Sequence, residues 1–422
     1  MKSHLNNTVW LMFDKFFVLF GGLIAYILVS KHLGPEELGK LTFAVAISSF
    51  GVTLSQWGAN HTIYNISVLN KGKALKYIES TNLIRCVIYI IFWIVSSLFL
   101  FFSDNYENDA LIISLVILVH VFLSLDIYQF YYNGTVDSKI NATSNLISRT
   151  ISTVLRLVFV LFSLKSIWFV IPYLVNNFLL YFFRRRKMPP INKVYIIKNY
   201  RYKFFKDGKY FLLGGMLTIL YTKINEIILA DVAGFQFSGQ FSVATTLGFA
   251  FTFVPVAIGT SYLSKALIIK NESDQVHAFS IVNTLMVVSY VPLIILAYFF
   301  GDKLVSLLLG DEYLDISKYI WLMTITGLFS SLSVINNRII GNYTNGSKYL
   351  FYKILWCSLM SVPISYFFVT RYGMEGAVYS LFIIEFFNLS FSNYLFKSKV
   401  MFKIHFGSFF VTPKKMYHFI RS

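Results

Sequence analysis

Apolar residues occur along this chain in blocks of about twenty, and short polar segments separate the blocks. A helix of that length can cross a hydrocarbon core of roughly 30 Å. The pattern therefore predicts an all-α integral membrane protein of about twelve transmembrane helices. The predicted spans are residues 8–30, 38–60, 81–103, 110–133, 146–164, 167–183, 208–231, 238–263, 279–300, 319–341, 351–370 and 377–396.

The composition agrees with this pattern. Hydrophobic residues make up 56% of the chain and charged residues 14%, against about 45–50% and about 25% in soluble domains. The first apolar block, residues 9–29, is too long for the apolar region of a secretory signal and lacks a cleavage motif, so we expect an uncleaved span. Cys86 and Cys357 both fall inside apolar blocks, which predicts neither a disulfide nor a metal site.

Basic residues are concentrated in alternate loops. With the N-terminus in the cytoplasm, the outward segments hold only Lys31, Lys40, Lys165, Lys303, Lys318 and Arg371. Because cytoplasmic loops are enriched in Lys and Arg, both termini are predicted to be cytoplasmic. The net charge of +17 then reflects loops beside anionic lipid headgroups, and nucleic-acid binding is not predicted.

The longest polar segment between spans, residues 184–209, divides the predicted spans into two sets of six. We predict an N-terminal six-helix bundle (1–187), a basic cytoplasmic linker (188–207), a C-terminal six-helix bundle (208–400) and a cytoplasmic tail (401–422). Equivalent places in the two halves carry the same G-x4-G-x4-A spacing, which predicts an internal duplication of the kind common in transporters. The repeated residues are Gly34, Gly39 and Ala44, and Gly234, Gly239 and Ala244.

Several segments resemble one family of transporters. W-L-M-F-D-K at 10–15 and S-K-H-L-G-P-E-E-L-G-K-L at 30–41 resemble the opening of Wzx-type polysaccharide (O-antigen) flippases. K-I-N-E-I-I-L at 223–229, G-Q-F-S-V-A at 239–244 and R-Y-G-M-E-G-A at 371–377 continue the resemblance in the same order. It covers residues 6–396 and places the chain in the multidrug/oligosaccharidyl-lipid/polysaccharide exporter superfamily.

The resemblance implies a MATE-like fold, in which two six-helix bundles surround a central cavity opened by alternating access. It also implies the substrate, an undecaprenyl-pyrophosphate-linked oligosaccharide such as an O-antigen (lipopolysaccharide) or capsule repeat unit. The flippase would move this lipid-linked glycan from the cytoplasmic to the periplasmic leaflet of the bacterial inner membrane, beside other polysaccharide assembly proteins. The relative that flips the peptidoglycan precursor usually has two further spans, for which this chain lacks room.

Basic residues inside the predicted spans are candidates for substrate binding, because buried charge is costly unless it has a function or a partner. Arg149, Ser152, Thr153 and Arg156 share one helix face by their spacing. Arginine can bind phosphate oxygens in bidentate fashion, although Arg149 can instead extend to the interface. The substrate-binding candidates are Lys15, Arg85, Arg149, Arg156, Lys223 and Arg338.

Carboxylates inside the spans are candidates for H⁺ or Na⁺ coupling, since a low-dielectric site favours proton binding. The candidates are Asp14, Asp126, Glu226 and Glu385. Asp14 and Lys15 match the acidic-basic pair typical of the family's first span. Lys223 and Glu226 stand at i and i+3, so mutual neutralisation is an equally good interpretation, and structural hydrogen bonds are the alternative for Asp126 and Glu385.

Two other functions fit a chain of this kind less well. An ion-coupled multidrug or metabolite exporter would need an acidic, aromatic cavity, whereas the basic residues here favour an anionic substrate. A membrane oligosaccharide polymerase or ligase usually carries a large outer loop with catalytic Arg or His, but the longest outward loop, residues 301–318, is short and has no His. No phosphate-cradling glycine loop is present, so we predict a transporter without cofactor or ATPase activity rather than an enzyme.

Overall fold

The computed structural model of the protein describes the backbone of residues 2–189 and 198–421, and the side chains of residues 21–189, 199–397 and 399–421. Within these ranges all regular secondary structure is helical, which confirms the predicted all-α class. Short 3₁₀ helices at Glu107–Asp109, Ser166–Phe169, Asp311–Ile316 and Lys397–Lys399 join longer ones. The α-helices in chain order are α1 Lys2–Gln56, α2 Ala59–Leu69, α3 Lys71–Phe101, α4 Ala110–Val119, α5 Val121–Leu125, α6 Tyr128–Gly134, α7 Ser138–Leu161, α8 Val170–Arg186, α9 Lys198–Val232, α10 Phe235–Phe249, α11 Phe253–Leu267, α12 Glu272–Leu309, α13 Ser317–Gly341, α14 Gly346–Leu389, α15 Phe391–Tyr394, α16 Val400–Ser408 and α17 Pro413–Arg421.

Helix starts follow local sequence signals. The Asn70 side chain accepts a hydrogen bond from the Lys73 backbone N–H at 2.8 Å and caps α3. Asn271 caps α12 in the same way, and α12 has acidic residues in its first turn. Such residues satisfy backbone donors and complement the positive end of the helix dipole.

Nine helices within the described residues are long and apolar enough to cross a membrane, and a tenth is obtained if α10 and α11, bent by 41°, form one span. The chain is thus a multi-pass membrane protein. Two of the nine contain an internal break: Gly21–Gln56 has 36 residues and Gly346–Tyr394 has 49, about 54 and 73 Å as straight helices. They are interrupted at Gly34 and Gly373, where φ is 74° and 55°. The count of twelve spans stays a prediction.

The chain divides into two compact units. The first comprises Met1–Ile219 with Gly234–Gly239, and the second comprises Leu220–Ala233 with Gln240–Ser422. The division falls inside α9 and α10, so each of these helices contributes to both units. In the second unit, α16 packs on α12, and its Val400, Met401 and Ile404 are buried in the hydrophobic core. The segment predicted as a tail therefore begins with a packed helix.

The repeated glycine element has the same backbone conformation in both places. Gly34 and Gly234 have φ values of 74° and 96°, in the left-handed region that favours glycine. Ten residues after each of them, Ala44 and Ala244 are fully buried. The equal spacing therefore corresponds to equivalent local structures.

The second glycine of each repeat lies at a close backbone contact within the first unit. A Cβ on Gly39 would lie 1.9 Å from the carbonyl oxygen of Phe235, and a Cβ on Gly239 would lie 1.8 Å from the carbonyl oxygen of Pro35. Small residues permit this approach of helix backbones in membranes. The contact is reciprocal between positions that match in the two repeats, and this reciprocity supports the predicted duplication.

Candidate substrate and ion-coupling sites

The first unit contains a buried ion pair. Asp126, at the break between α5 and α6, accepts a hydrogen bond from Arg184 on α8, and both side chains are buried. Arg184 also donates to Asn145 Oδ1 on α7 at 2.7 Å. Asp126, a predicted coupling residue, thus has a cationic partner, Arg184, which the sequence analysis noted only as the start of the polar segment 184–209. The second oxygen of Asp126 has no hydrogen-bond partner among the described residues.

Arg85 lies close to this pair and is fully buried. Its guanidinium donates to the carbonyl oxygens of Ser124 at 3.3 Å and Leu125 at 3.1 Å, and to Asn82 Oδ1 at 3.3 Å. The two carbonyls belong to the end of α5, where the helix lacks its own donors. Arg85 therefore stabilises the α5–α6 break, and its predicted contact with substrate stays a prediction.

The polar stripe of α7 faces the first turn of α8. Ser152 is buried and donates to the Pro172 carbonyl oxygen at 2.9 Å. The Arg156 guanidinium carbon lies 4.9 Å from the centre of the Tyr173 ring. Both Arg149 and Arg156 are half-buried. Because a guanidinium above a ring keeps its N–H groups at its edge, Arg156 can donate to an anion while it contacts Tyr173.

In the second unit, Lys223 and Glu226 form an ion pair on α9 with a 2.7 Å separation. The Lys223 side chain is 31% exposed and that of Glu226 is 9% exposed. The sequence analysis gave two interpretations of these residues, mutual neutralisation and separate roles in transport. The ion pair corresponds to the first. The partial exposure of Lys223 means that its ammonium can reach a second partner.

Glu385 on α14 has a different environment. It is buried and accepts hydrogen bonds from the Tyr221 hydroxyl and, at 3.4 Å, from Asn388 Nδ2. Ser330 lies beside the same carboxylate. Within the described residues, no cation lies within 4 Å of Glu385. A carboxylate held by neutral oxygen- and nitrogen-bearing groups can exchange a proton, and carboxylate, hydroxyl and amide oxygens are also ligands for hard cations.

Lys353 is a buried cation that the sequence analysis missed. Its Nζ donates to Asn337 Oδ1 at 2.7 Å and to Asn393 Oδ1 at 2.8 Å, and the residue is 4% exposed. Glu385 lies close enough to act on it electrostatically. Lys353 lies near the start of a predicted span, where a lysine commonly extends to the membrane interface, so the sequence did not single it out. The signal available in the sequence was the presence of asparagines inside or beside other spans, such as Asn337 and Asn393, which can bind a buried ammonium group.

The remaining predicted site residues are Arg338, Asp14 and Lys15. Arg338 is exposed and donates to Thr260 Oγ1 at 2.8 Å. Asp14 and Lys15 lie outside the residues whose side chains the structure describes. Among the described residues, no group of three or more His, Cys, Asp or Glu side chains is placed to hold a metal ion.

Known structures share this fold over nearly the whole chain. The lipid II flippase MurJ, in an inward closed conformation, has a TM-score of 0.65 at 18% identity and covers 97% of this chain and 95% of its own. A MOP-superfamily transporter from Pyrococcus furiosus, described by the reverse polarity of its binding pocket, has a TM-score of 0.61 at 13% identity, with coverage of 100% and 97%. An outward-facing MATE multidrug-resistance transporter of the same superfamily has a TM-score of 0.59 at 13% identity, with coverage of 100% and 97%. The MATE-like fold predicted from the resemblance is thus confirmed.

In sequence, no curated protein matches the chain. The family of polysaccharide biosynthesis proteins, by contrast, matches residues 4–263, which is more than half of the chain. This match confirms the family resemblance carried by the glycine element and the first-span motif. The chain therefore belongs to the family of polysaccharide biosynthesis proteins.

Proposed function

We propose that this protein is a flippase for a lipid-linked saccharide, and more narrowly for an undecaprenyl-pyrophosphate-linked oligosaccharide such as an O-antigen or capsule repeat unit. Membership of the polysaccharide biosynthesis family supports the saccharide, and the shared fold with the lipid II flippase MurJ supports flipping. In this proposal the protein lies in a bacterial inner membrane with both termini in the cytoplasm, and alternating access carries the head group outward.

The observation that carries the proposal is the exposure of the candidate charges. Each described coupling carboxylate (Asp126, Glu226, Glu385) is buried and already has hydrogen-bonded or ionic partners. The cations of α7 and α9, by contrast, are partly exposed. The charge that a ligand can reach among these residues is therefore positive, which suits a diphosphate.

The candidate cations divide into two roles. Arg85 is buried and its guanidinium donates to protein oxygens, so it acts on an anion through its electric field rather than by contact. Arg156 and Lys223 are partly exposed and can donate to phosphate oxygens directly. When substrate binds, the Lys223 ammonium would leave the Glu226 carboxylate and bind a phosphate group of the substrate. In this scheme, Arg149 assists from α7, Arg338 from α13 and Lys15 from α1.

For the driving force, we assign H⁺ or Na⁺ coupling to Glu385 before the other carboxylates. Asp126 and Glu226 each have a cationic partner in an ion pair, and that partner competes with a coupling cation for the carboxylate. Among the described residues, the partners of Glu385 within 4 Å are all neutral. Its protonation or Na⁺ binding would change the charge beside Tyr221 on α9, the helix that also carries Lys223.

The function is tested in a deletion strain of the source organism, assayed for surface polysaccharide and for lipid-linked repeat units. We expect loss of the polysaccharide, accumulation of lipid-linked units, and restoration by the unsubstituted gene. Arg156→Ala and Lys223→Ala should restore the polysaccharide only in part. A matched control is Arg371→Ala, because Arg371 is exposed and also lies over a ring, 4.5 Å from the centre of Phe367.

The outcomes separate the alternatives. Normal surface polysaccharide in the deletion strain, with altered drug or metabolite resistance, would favour an ion-coupled exporter. Accumulation of single repeat units already on the outer leaflet would favour a polymerase or ligase. Full restoration by both Arg156→Ala and Lys223→Ala would leave the flippase in place but remove these two cations from its substrate site.

A further inference from the structure

The C-terminal residues form a helical hairpin on the second unit. We call residues 400–421, which comprise α16, α17 and their connection, the C-terminal hairpin. It packs along α12: Ser280 Oγ donates to the Ile404 carbonyl oxygen at 2.9 Å, and Thr284 Oγ1 donates to that of Ser408 at 3.0 Å. The chain then returns, and Lys265 Nζ donates to the Ile420 carbonyl oxygen at 3.3 Å. The hairpin is therefore a docked element rather than a free tail.

Its position along α12 fixes its depth in the membrane. Thr284 and the charged residue Asp302 are eighteen positions apart on α12, or about 27 Å of helix, and the seventeen residues between them are almost all apolar. This is nearly the thickness of a hydrocarbon core. Thr284 therefore lies near one boundary of the core, five residues after the predicted start of this span at residue 279 and on the cytoplasmic side in the predicted topology. The turn of the hairpin, which follows Ser408, lies at the same boundary.

The hairpin presents an exposed row of aromatic side chains there. Phe402, Phe406, Phe409 and Phe410 are 46%, 56%, 86% and 63% exposed. Neighbouring rings are in contact, with centroids 6.0 Å apart for Phe402 and Phe406 and 5.0 Å for Phe406 and Phe410. The opposite side of α16 is buried in the core of the second unit. Apolar rings at this level belong in the lipid, below the headgroups.

The returning helix α17 is amphipathic and basic. Its apolar residues (Met416, Tyr417, Phe419 and Ile420) cover one arc of the helix, and its basic residues (Lys414, Lys415, His418 and Arg421) cover the other. All four basic side chains are exposed. No Asp or Glu occurs in the sequence after Glu385, so no acidic residue of this segment neutralises them. A helix of this kind lies in the plane of an anionic membrane surface.

We propose that the C-terminal hairpin is a binding site for anionic phospholipid headgroups. The phenylalanine row enters the acyl region, and the ammonium and guanidinium groups of Lys414, Lys415 and Arg421 bind headgroup phosphates. Lys403 on α16, also exposed, adds a fourth cation to the hairpin. The proposal rests on the packing and charge of this segment, so it does not depend on the flippase function.

The test is hydrogen–deuterium exchange of the full-length protein in lipid nanodiscs. We compare discs of phosphatidylcholine with discs that contain phosphatidylglycerol. Each basic residue near an anionic surface strengthens binding by about fivefold, so with three such residues the amides of 414–421 should exchange about a hundredfold more slowly with phosphatidylglycerol. Lys414→Gln/Lys415→Gln/Arg421→Gln should remove the difference. Lys71→Gln/Lys73→Gln/Lys348→Gln is the matched control, because it removes three exposed lysines predicted on the same side.

Further measurements separate the contribution of the inserted phenylalanines from that of the basic residues, and lipid binding from binding of free phosphate. Phe409→Ser/Phe410→Ser should speed exchange of the hairpin in both lipids, since it removes insertion but not charge. Inorganic phosphate added to phosphatidylcholine discs should leave the rates unchanged. Equal rates in the two lipids for the unsubstituted protein would overturn the proposal, as would a lipid difference that survives the triple substitution in α17. Protection by inorganic phosphate alone would overturn the assignment to lipid.

Discussion

At the scale of single residues, Asp126 and Arg184 are 58 positions apart and meet in the interior of the first unit. Two buried charges are tolerated because each offsets the desolvation of the other, and removal of one leaves the other uncompensated. Arg184→Gln should therefore lower the free energy of unfolding by about 3–5 kcal/mol. The measurement is thermal unfolding of the purified protein in detergent.

The double variant makes this test specific. Arg184→Gln/Asp126→Asn leaves neither charge of the pair unpaired and should recover part of the stability that Arg184→Gln loses; the recovery is incomplete because the buried Arg85 guanidinium then lacks the nearby Asp126 charge. If the double variant were as unstable as the single variant, the loss would reflect packing of the arginine side chain rather than the ion pair.

Coupling to an H⁺ or Na⁺ gradient can be tested at Glu385 with a substitution that keeps the size and shape of the side chain. Glu385→Gln keeps an oxygen that can accept from Tyr221 but cannot bind a proton or carry charge, so the protein should fold normally. Flipping of lipid-linked saccharide in proteoliposomes should then lose its response to an imposed pH or Na⁺ gradient. Glu375→Gln is the matched control, because Glu375 lies on the same helix, accepts from Tyr379 at 3.0 Å and is only half-buried. An unchanged gradient response in Glu385→Gln would remove the coupling role.

At the scale of elements, the docking of α16 depends on a buried histidine. His405 Nε2 contacts Asn336 Nδ2 at 2.7 Å, and its Nδ1 contacts the Tyr394 hydroxyl at 3.1 Å. Burial, with a smaller contribution from the Lys353 charge, lowers the pKa of His405 from 6.5 to about 4. The neutral ring is therefore the form that the docked helix accepts.

The lowered pKa makes the docking of α16 depend on pH. His405 binds a proton more readily when α16 is released than when it is docked. Docking is therefore fully stable above pH 6.5 and weakens as pH falls toward 4. At pH 5 the opening equilibrium should rise about thirtyfold relative to pH 7.5. Hydrogen exchange of Val400–Ser408, corrected for intrinsic rates, measures it. His405→Asn should show little pH dependence; the same dependence in that variant would assign it to another group.

Local pattern predicted the elements better than it predicted the partners. Apolar blocks located the helices, and i, i+3, i+4 spacing placed Ser152 and Arg156 on the face that contacts α8. The partners of Asp126 and Lys353 come from other helices, so no spacing within one helix could indicate them. The nine residues of α16 are too few for a span, and the sequence therefore suggested a tail where the structure has a docked helix.

At the scale of the whole molecule, the duplicated element provides the last test. Gly39 and Gly239 occupy matching positions of the two repeats and contribute to one contact, so substitution of either should have a similar effect. Gly39→Ala and Gly239→Ala each place a Cβ within 2 Å of a backbone carbonyl oxygen, where the backbone itself must shift. Overpacking of this kind typically costs about 1–3 kcal/mol. Thermal unfolding in detergent should show equal decreases for the two variants.

The double variant tests whether the two glycines form one contact. Once the helices have moved apart to admit the first methyl group, the second should cost less, so the loss in Gly39→Ala/Gly239→Ala should be smaller than the sum of the single losses. Gly214→Ala is the control, because a Cβ there would meet no atom within 4 Å, and alanine favours the helix. Additive losses would mean that the two positions are separate contacts. Subadditive losses would show that Gly39 and Gly239, two hundred positions apart, contribute to one contact between helices. Such a shared contact is expected of matching positions in two duplicated halves.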